Sequence, residues 1–191
     1  MFVPSSVTVE DFENYFTRDF IYATVWNNTT TYNAGDIVFY SITNNVGTTF
    51  YQCLNNGVTS LPTTVTDWSP LPGNKYVLPS DIMKAFSEAT SAMPLTLFTS
   101  DATAEIVYLY LTAHYLYSDI VANGGLSGGG LITSKSVDDV SLSYGIAMKL
   151  QDSPIYSQWA QTYYGRKAIT YIYPRSIART FGVVRGFTLC C

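Results

Sequence analysis

Between Asp101 and Ala122 the chain reads DATAEIVYLYLTAHYLYSDIVA, and no other stretch constrains the fold as strongly. Apolar residues recur there at helical spacing. Ile106, Val107, Leu109, Tyr110, Leu111, Ala113, Leu116, Tyr117 and Ile120 would go most of the way round the helix they form. Such a helix is stable only when other elements cover it, so the sequence predicts a central, buried helix. At about 1.5 Å per residue it would be about 33 Å long. Ser100 is placed to cap its start, and Asn123-Gly124-Gly125 to end it.

Three further stretches carry helical period. TVEDFENYFTRDF predicts an N-terminal helix with Thr8 and Asp11 as a capping pair and Phe12, Tyr15, Phe16 and Phe20 toward one face. PSDIMKAFSEATSAM predicts a second, with Ser80 as its cap, Ile82, Met83, Phe86 and Ala89 on one face, and Pro94 as its stop. SPIYSQWAQTYYGRKAITYIY predicts a last helical region. Ser153 caps it, Pro154 takes the first position, Gly165 kinks or breaks it and Pro174 ends it. Residues 174–191 hold no sustained period and predict an extended tail.

From Tyr22 to Tyr76 the character changes. Asn, Thr, Gly and Pro dominate, and DIVFYSI and TTFYQCL are short strand-like runs around the turn residues TNNVG. A hairpin within a three-stranded module, inserted between helices, accounts for this. A second hairpin is predicted at about 131–146, in LITSKSVDDVSLSYGI, turning at Asp138 and Asp139 after the flexible NGGLSGGG connector. It is poor in large apolar groups, so a projecting arm is expected. The expected fold class is thus α+β. A mainly helical bundle (residues 1–21 and 77–173) would carry the projecting hairpin, the small β-module (22–76) and an extended basic C-terminal tail (174–191).

Chemistry by side chains finds few candidates. The single histidine, His114, sits in the middle of the central helix, where a hydrogen-bonded core role is expected. No His/Cys spacing suits a metal and no nucleophile elbow is present, so neither an enzyme nor a metal or other cofactor is expected. The glycines near 124–130 follow a helix and lack the Lys-Ser or Lys-Thr of a phosphate loop. Adjacent Asp138 and Asp139 suit a turn better than a carboxylate pair. Cys53, Cys190 and Cys191 form no disulfide framework, which points to a reducing compartment. Neither a signal peptide nor a membrane span is expected.

Sixteen tyrosines suit either an assembly surface or an aromatic core. All 14 acidic residues lie at or before Asp152, together with five of the ten basic ones, so that part carries −9. The remaining 39 residues carry +5 from Arg166, Lys167, Arg175, Arg179 and Arg185. Such an end meets an acidic surface, either protein or nucleic acid, or is simply solvated.

Two resemblances follow from these motifs. Trp26, YNAGDIV, FYQC and DWSPL, spanning Trp26–Leu71, resemble a small chitin-binding module. The resemblance implies that Trp26, Tyr32, Tyr51 and Trp68 either stack on sugar rings or form the module's core. A glycan-binding accessory protein is the alternative reading of the whole chain. Outside the module, the order of VEDFENYFTRDF, DIMKAFSEAT, the Leu-Thr-Ala-His helix, the Val-Ser-Leu-Ser-Tyr strand and the Thr-Tyr-Tyr-Gly helix resembles the head–tail connector, or adaptor, proteins of tailed bacteriophages. That resemblance implies a structural virion protein made in the host bacterial cytoplasm and placed at the head–tail junction. It implies a homo-oligomeric, dodecameric ring joining the portal protein to a tail or nozzle protein, with DNA passing through unspecifically bound. Hairpin residues Ser136, Asp138, Asp139 and Ser141 would touch neighbouring protomers. Arg175, Arg179, Phe181, Arg185 and Phe187 would dock on the portal. The inserted module would face outward, toward a fibre, a decoration protein or host glycans.

Overall fold

The computed structural model describes residues 2–41, 50–124, 134–137, 140–143 and 153–182, with the hairpin strands and the stretch from 177 onward described by backbone alone. The fold is mixed α+β. In chain order the elements are α1 (Val9–Tyr15), β1 (Ile21–Tyr22), β2 (Thr24–Val25), β3 (Ile37–Phe39), β4 (Phe50–Cys53), β5 (Trp68–Leu71) and β6 (Tyr76–Val77). Then come α2 (Pro79–Ala92), α3 (Asp101–Ala122), β7 (Ser134–Val137), β8 (Val140–Ser143), α4 (Pro154–Trp159) and α5 (Tyr163–Gly182). The chain forms two compact units. One comprises Thr8–Lys84 with Ile120–Ser127, and the other Met1–Val7, Ala85–Asp119 and Gly128–Cys191.

The first of these units opens with the capping box the sequence predicts. The Thr8 hydroxyl accepts the Asp11 N–H, and the Asp11 carboxylate accepts the Thr8 N–H at 2.8 Å. Bonding to Thr8, first through its side chain and then its backbone, holds the Asp11 carboxyl below its usual range. Phe12, Phe16 and Phe20 are buried, and their rings lie 5.0 to 6.1 Å apart.

Beyond them stands a four-stranded sheet of order β2-β3-β4-β5, in which β2 runs parallel to β3 and the other pairs are antiparallel. The sheet thus has one strand more than the sequence suggested. Thr24–Val25 is too short to show period, and only its pairing with Val38 and Phe39 makes it a strand. Alternation along the strands sends side chains to two faces, and each face has its own small core. Val38, Tyr51, Cys53 and Trp68 join Tyr32 and Val58 on one; Ile37, Phe39, Phe50 and Leu71 join Ala23 and Tyr76 on the other. A separate parallel pair, Ile21 with Tyr76 and Tyr22 with Val77, brings the two ends of the 22–76 segment side by side.

In the other unit α3 is the axis. Ala104, Val107, Tyr108, Leu109, Leu111, Ala113 and Leu116 are all buried, as the wrap-round apolar pattern requires. Tyr108 stacks on Phe86 at 5.5 Å, and its hydroxyl donates to the Phe86 carbonyl at 3.1 Å. On α4, Ser153 and Pro154 take the cap and first positions, as the sequence predicts. Trp159, 2% exposed, donates through Nε1 to the Tyr115 hydroxyl at 3.2 Å.

Three expectations need correction. Helix α2 begins at Pro79, and Ser80 lies inside it; the Asp81 carboxylate, not Ser80, takes the Leu78 N–H at 2.9 Å. Its buried face is Ile82, Ala85 and Ala89, with Met83 64% exposed. The last helical region breaks ahead of Gly165, at residues 160–162, where Thr162 accepts the Gly165 N–H and starts α5. Gly165 is there for contact: a Cβ on it would lie 2.0 Å from the Trp159 carbonyl oxygen.

The third correction concerns the tail. Helix α5 does not end at Pro174 but runs through it to Gly182, so the extended segment expected from residue 174 is helical over its first half. Proline deprives the Thr170 carbonyl of its helical donor and strains the turn before it. Thr170 lies on the exposed side of the helix. The Arg175 guanidinium donates to the Tyr171 carbonyl at 2.6 Å, and the Ser176 hydroxyl to Tyr173 at 2.8 Å.

Candidate functional site

From Ser153 onward the chain has no acidic side chain, so its cations there have no counter-charge within that stretch of sequence. Helix α5 sorts them by face. Tyr164, Ala168, Ile169 and Ile172 are buried, which turns Tyr163, Arg166, Thr170 and Pro174 outward along one stripe. Tyr163 is 55% exposed, and Lys167, one turn on, holds Nζ 5.6 Å from the centre of its ring. This is a cation–π contact at a surface, worth about 0.5–1 kcal/mol.

Arg175, expected to meet a partner, is occupied in its own chain. Besides bonding to Tyr171 its guanidinium carbon lies 5.5 Å from the Phe98 ring centre. Arg179 and Phe181 fall in the last part of α5, described by backbone only, and Arg185 and Phe187 lie outside the described residues. Sequence reasoning counted Arg166 and Lys167 among the basic residues but did not single them out as a site. The signal was helical spacing from Tyr163, inside a stretch that the sequence already reads as helical.

The four aromatics of the module sit in and against its core. Trp68 is 1% exposed and donates through Nε1 to the Ser60 carbonyl at 3.1 Å. Tyr32 is buried, packs edge-on to Trp68 at 5.3 Å, and its hydroxyl accepts the Asn27 N–H. Neither has a free face to lay on a sugar ring. Trp26 and Tyr51 are half-buried against this cluster. Trp26 meets Tyr40 edge-on at 5.3 Å, and its Nε1 is buried with no hydrogen-bond partner among the described residues.

The hairpin forms with Ser136 opposite Ser141 and Val137 opposite Val140. Asp138 and Asp139, between the strands, lie outside the described residues.

His114 is 1% exposed. Its Nδ1 lies 2.7 Å from the Thr162 hydroxyl, which also accepts the Gly165 N–H. The arrangement that gives the hydroxyl proton an acceptor makes Nδ1 the acceptor and leaves the ring proton on Nε2. That nitrogen has no partner among the described residues. Burial alone depresses the His114 pKa to about 4, so the ring is neutral at pH 7. Its bonds tie α3 to the start of α5, a structural task.

Among the described residues no cluster of three His, Cys, Asp or Glu side chains suits a metal, and no helix is long and apolar enough to cross a membrane. An open groove of about 360 Å³ runs along Ser87, Glu88, Ser91, Ala92 and Tyr115.

The class these features define is an α+β chain whose distinctive surface is a cationic helix in an acid-free C-terminal segment. No known protein family, no curated protein and no solved structure matches it.

Proposed function

We propose that the chain is a non-enzymatic virion protein, a head–tail adaptor of a tailed bacteriophage. Copies close into a ring, dodecameric in this reading, beneath the portal. The ring presents a platform to the tail or nozzle protein, and DNA passes through its channel without specific binding. A helical bundle around α3 forms the body, and the inserted β-module faces outward. The basic C-terminal segment docks on the portal through the part of α5 from Pro174 onward and the residues after it. Arg175, being committed to Tyr171 and Phe98, stabilises the docking helix.

The observation that carries this reading is the segregation of charge. A chain with −9 up to Asp152 and +5 beyond it has an end suited to an acidic protein surface. The resemblance in motif order supplies the identity of that surface. Antibody labelling of purified virions tests it: label is expected at a single vertex of each particle. Label spread over the capsid, or its absence, would sink the adaptor reading.

The glycan-binding alternative draws on Trp26 and Tyr51, the two aromatics not fully enclosed. Retention on chitin that disappears in a folded Trp26→Ala variant would establish it.

A further inference from the structure

We propose that the outward stripe of α5, carrying Arg166 and Lys167 beside Tyr163, docks on α1 of a second copy of the chain at Glu10 and Glu13. The inference rests on the ring reading above and names the faces that would meet.

Both faces are left over by the fold. Arg166 is exposed and has no ion-pair partner among the described residues, and Lys167 only lies over Tyr163. Glu10, exposed, and Glu13, half-buried, lie one turn apart on α1, and neither has a cation partner among the described residues. Asp11, between them, is already committed to the Thr8 cap. The Glu13 carboxyl is held above its usual range by partial burial and then by the charge of Glu10, a repulsion that a docked cation would relieve. An exposed Tyr beside paired cations suits a protein interface, where Tyr and Arg are enriched.

The charge map selects the occupant. Every acidic side chain of the molecule lies at or before Asp152, so a second copy is itself an acidic surface. Nucleic acid is a poorer match, because a net charge of −4 opposes its approach. Contact between two different faces of like copies is heterologous. It propagates head to tail and closes into a ring when the rotation permits.

Charge exchange tests this with the full chain. One variant carries Arg166→Glu with Lys167→Glu, and another Glu10→Lys with Glu13→Lys; Arg166 and Glu10 are exposed, Lys167 and Glu13 half-buried, and circular dichroism checks the fold. In low salt, sedimentation should show the wild type associating reversibly, and each variant alone associating at least about thirtyfold more weakly. Mixing the two variants should restore association, and so should combining all four changes in one chain.

Three results would overturn the proposal: a monomeric wild type at every concentration, reversals without effect, or a mixture that does not recover. So would loss of duplex-DNA retention in the α5 variant with self-association unchanged, which would assign the stripe to nucleic acid. A failed exchange in a protein that still labels one virion vertex removes this contact alone. Absence from the virion removes the adaptor reading whatever the exchange gives.

Discussion

Lowering the pH should destabilise this protein through His114 in a range where most surface carboxylates are still ionised. The buried ring has a pKa of about 4 against an ordinary histidine value of 6.5, so the unfolded chain binds this proton more readily than the folded one. Stability is therefore undiminished above pH 6.5 and falls as pH drops toward 4. At about 1.4 kcal/mol per pKa unit, the loss attributable to His114 is about 3 kcal/mol once the folded ring has also titrated. Protonation would place a charge on a ring that is 1% exposed, with no acceptor for Nε2 among the described residues. Urea unfolding of the wild type and of His114→Gln at a series of pH values isolates this contribution, since carboxylate titrations are common to both. The glutamine variant starts less stable at neutral pH, and the gap should close or reverse on acidification by about 3 kcal/mol. A gap constant from pH 6.5 to 4 would refute the argument and place the His114 pKa near its ordinary value.

Two more substitutions read the packing. Gly165→Ala puts a methyl 2.0 Å from the Trp159 carbonyl, so the turn between α4 and α5 must open. A loss of about 2–3 kcal/mol is expected in thermal unfolding, and a neutral result would mean that this turn packs more loosely than described. Trp68→Ala removes the largest side chain of the module core, its bond to Ser60 and its contact with Tyr32. It should cost about 3–5 kcal/mol, seen as lost amide-exchange protection across β3, β4 and β5, and retained protection would mean the sheet does not depend on it.

What the sequence disclosed was local or strongly periodic. Helix α3 was legible because its apolar residues recur over many turns, and Thr8 with Asp11 and Ser153 with Pro154 because caps involve neighbours in sequence. Strands β1, β2 and β6 were not. Each is two residues long, and Ile21 or Thr24 becomes a strand residue only through Tyr76 or Val38 far along the chain. Pro174 misled because a proline inside a helix removes one backbone bond, here to the Thr170 carbonyl, and a residue on the exposed side can lose that bond without the helix ending. Met83 misled in a related way: its spacing fits the predicted face, yet the covered face runs through Ile82, Ala85, Phe86 and Ala89 and leaves Met83 outside it. At the candidate site, the charge imbalance could be read by counting, while the Tyr163–Lys167 pairing needed the helix to be in place. Burial of Trp68 and Tyr32 could not be inferred from spacing, because one pattern of aromatics serves a core and a sugar platform equally.

The parallel pairing of Ile21 with Tyr76 and Tyr22 with Val77 has a further consequence. Strands so paired run about 4.8 Å apart, so the segment leaves the chain almost where it enters it. A few linking residues would span that gap. A chain with such a linker in place of the segment should therefore be able to close, and whether it still folds would show how far α1, which shares a compact unit with the sheet, depends on it.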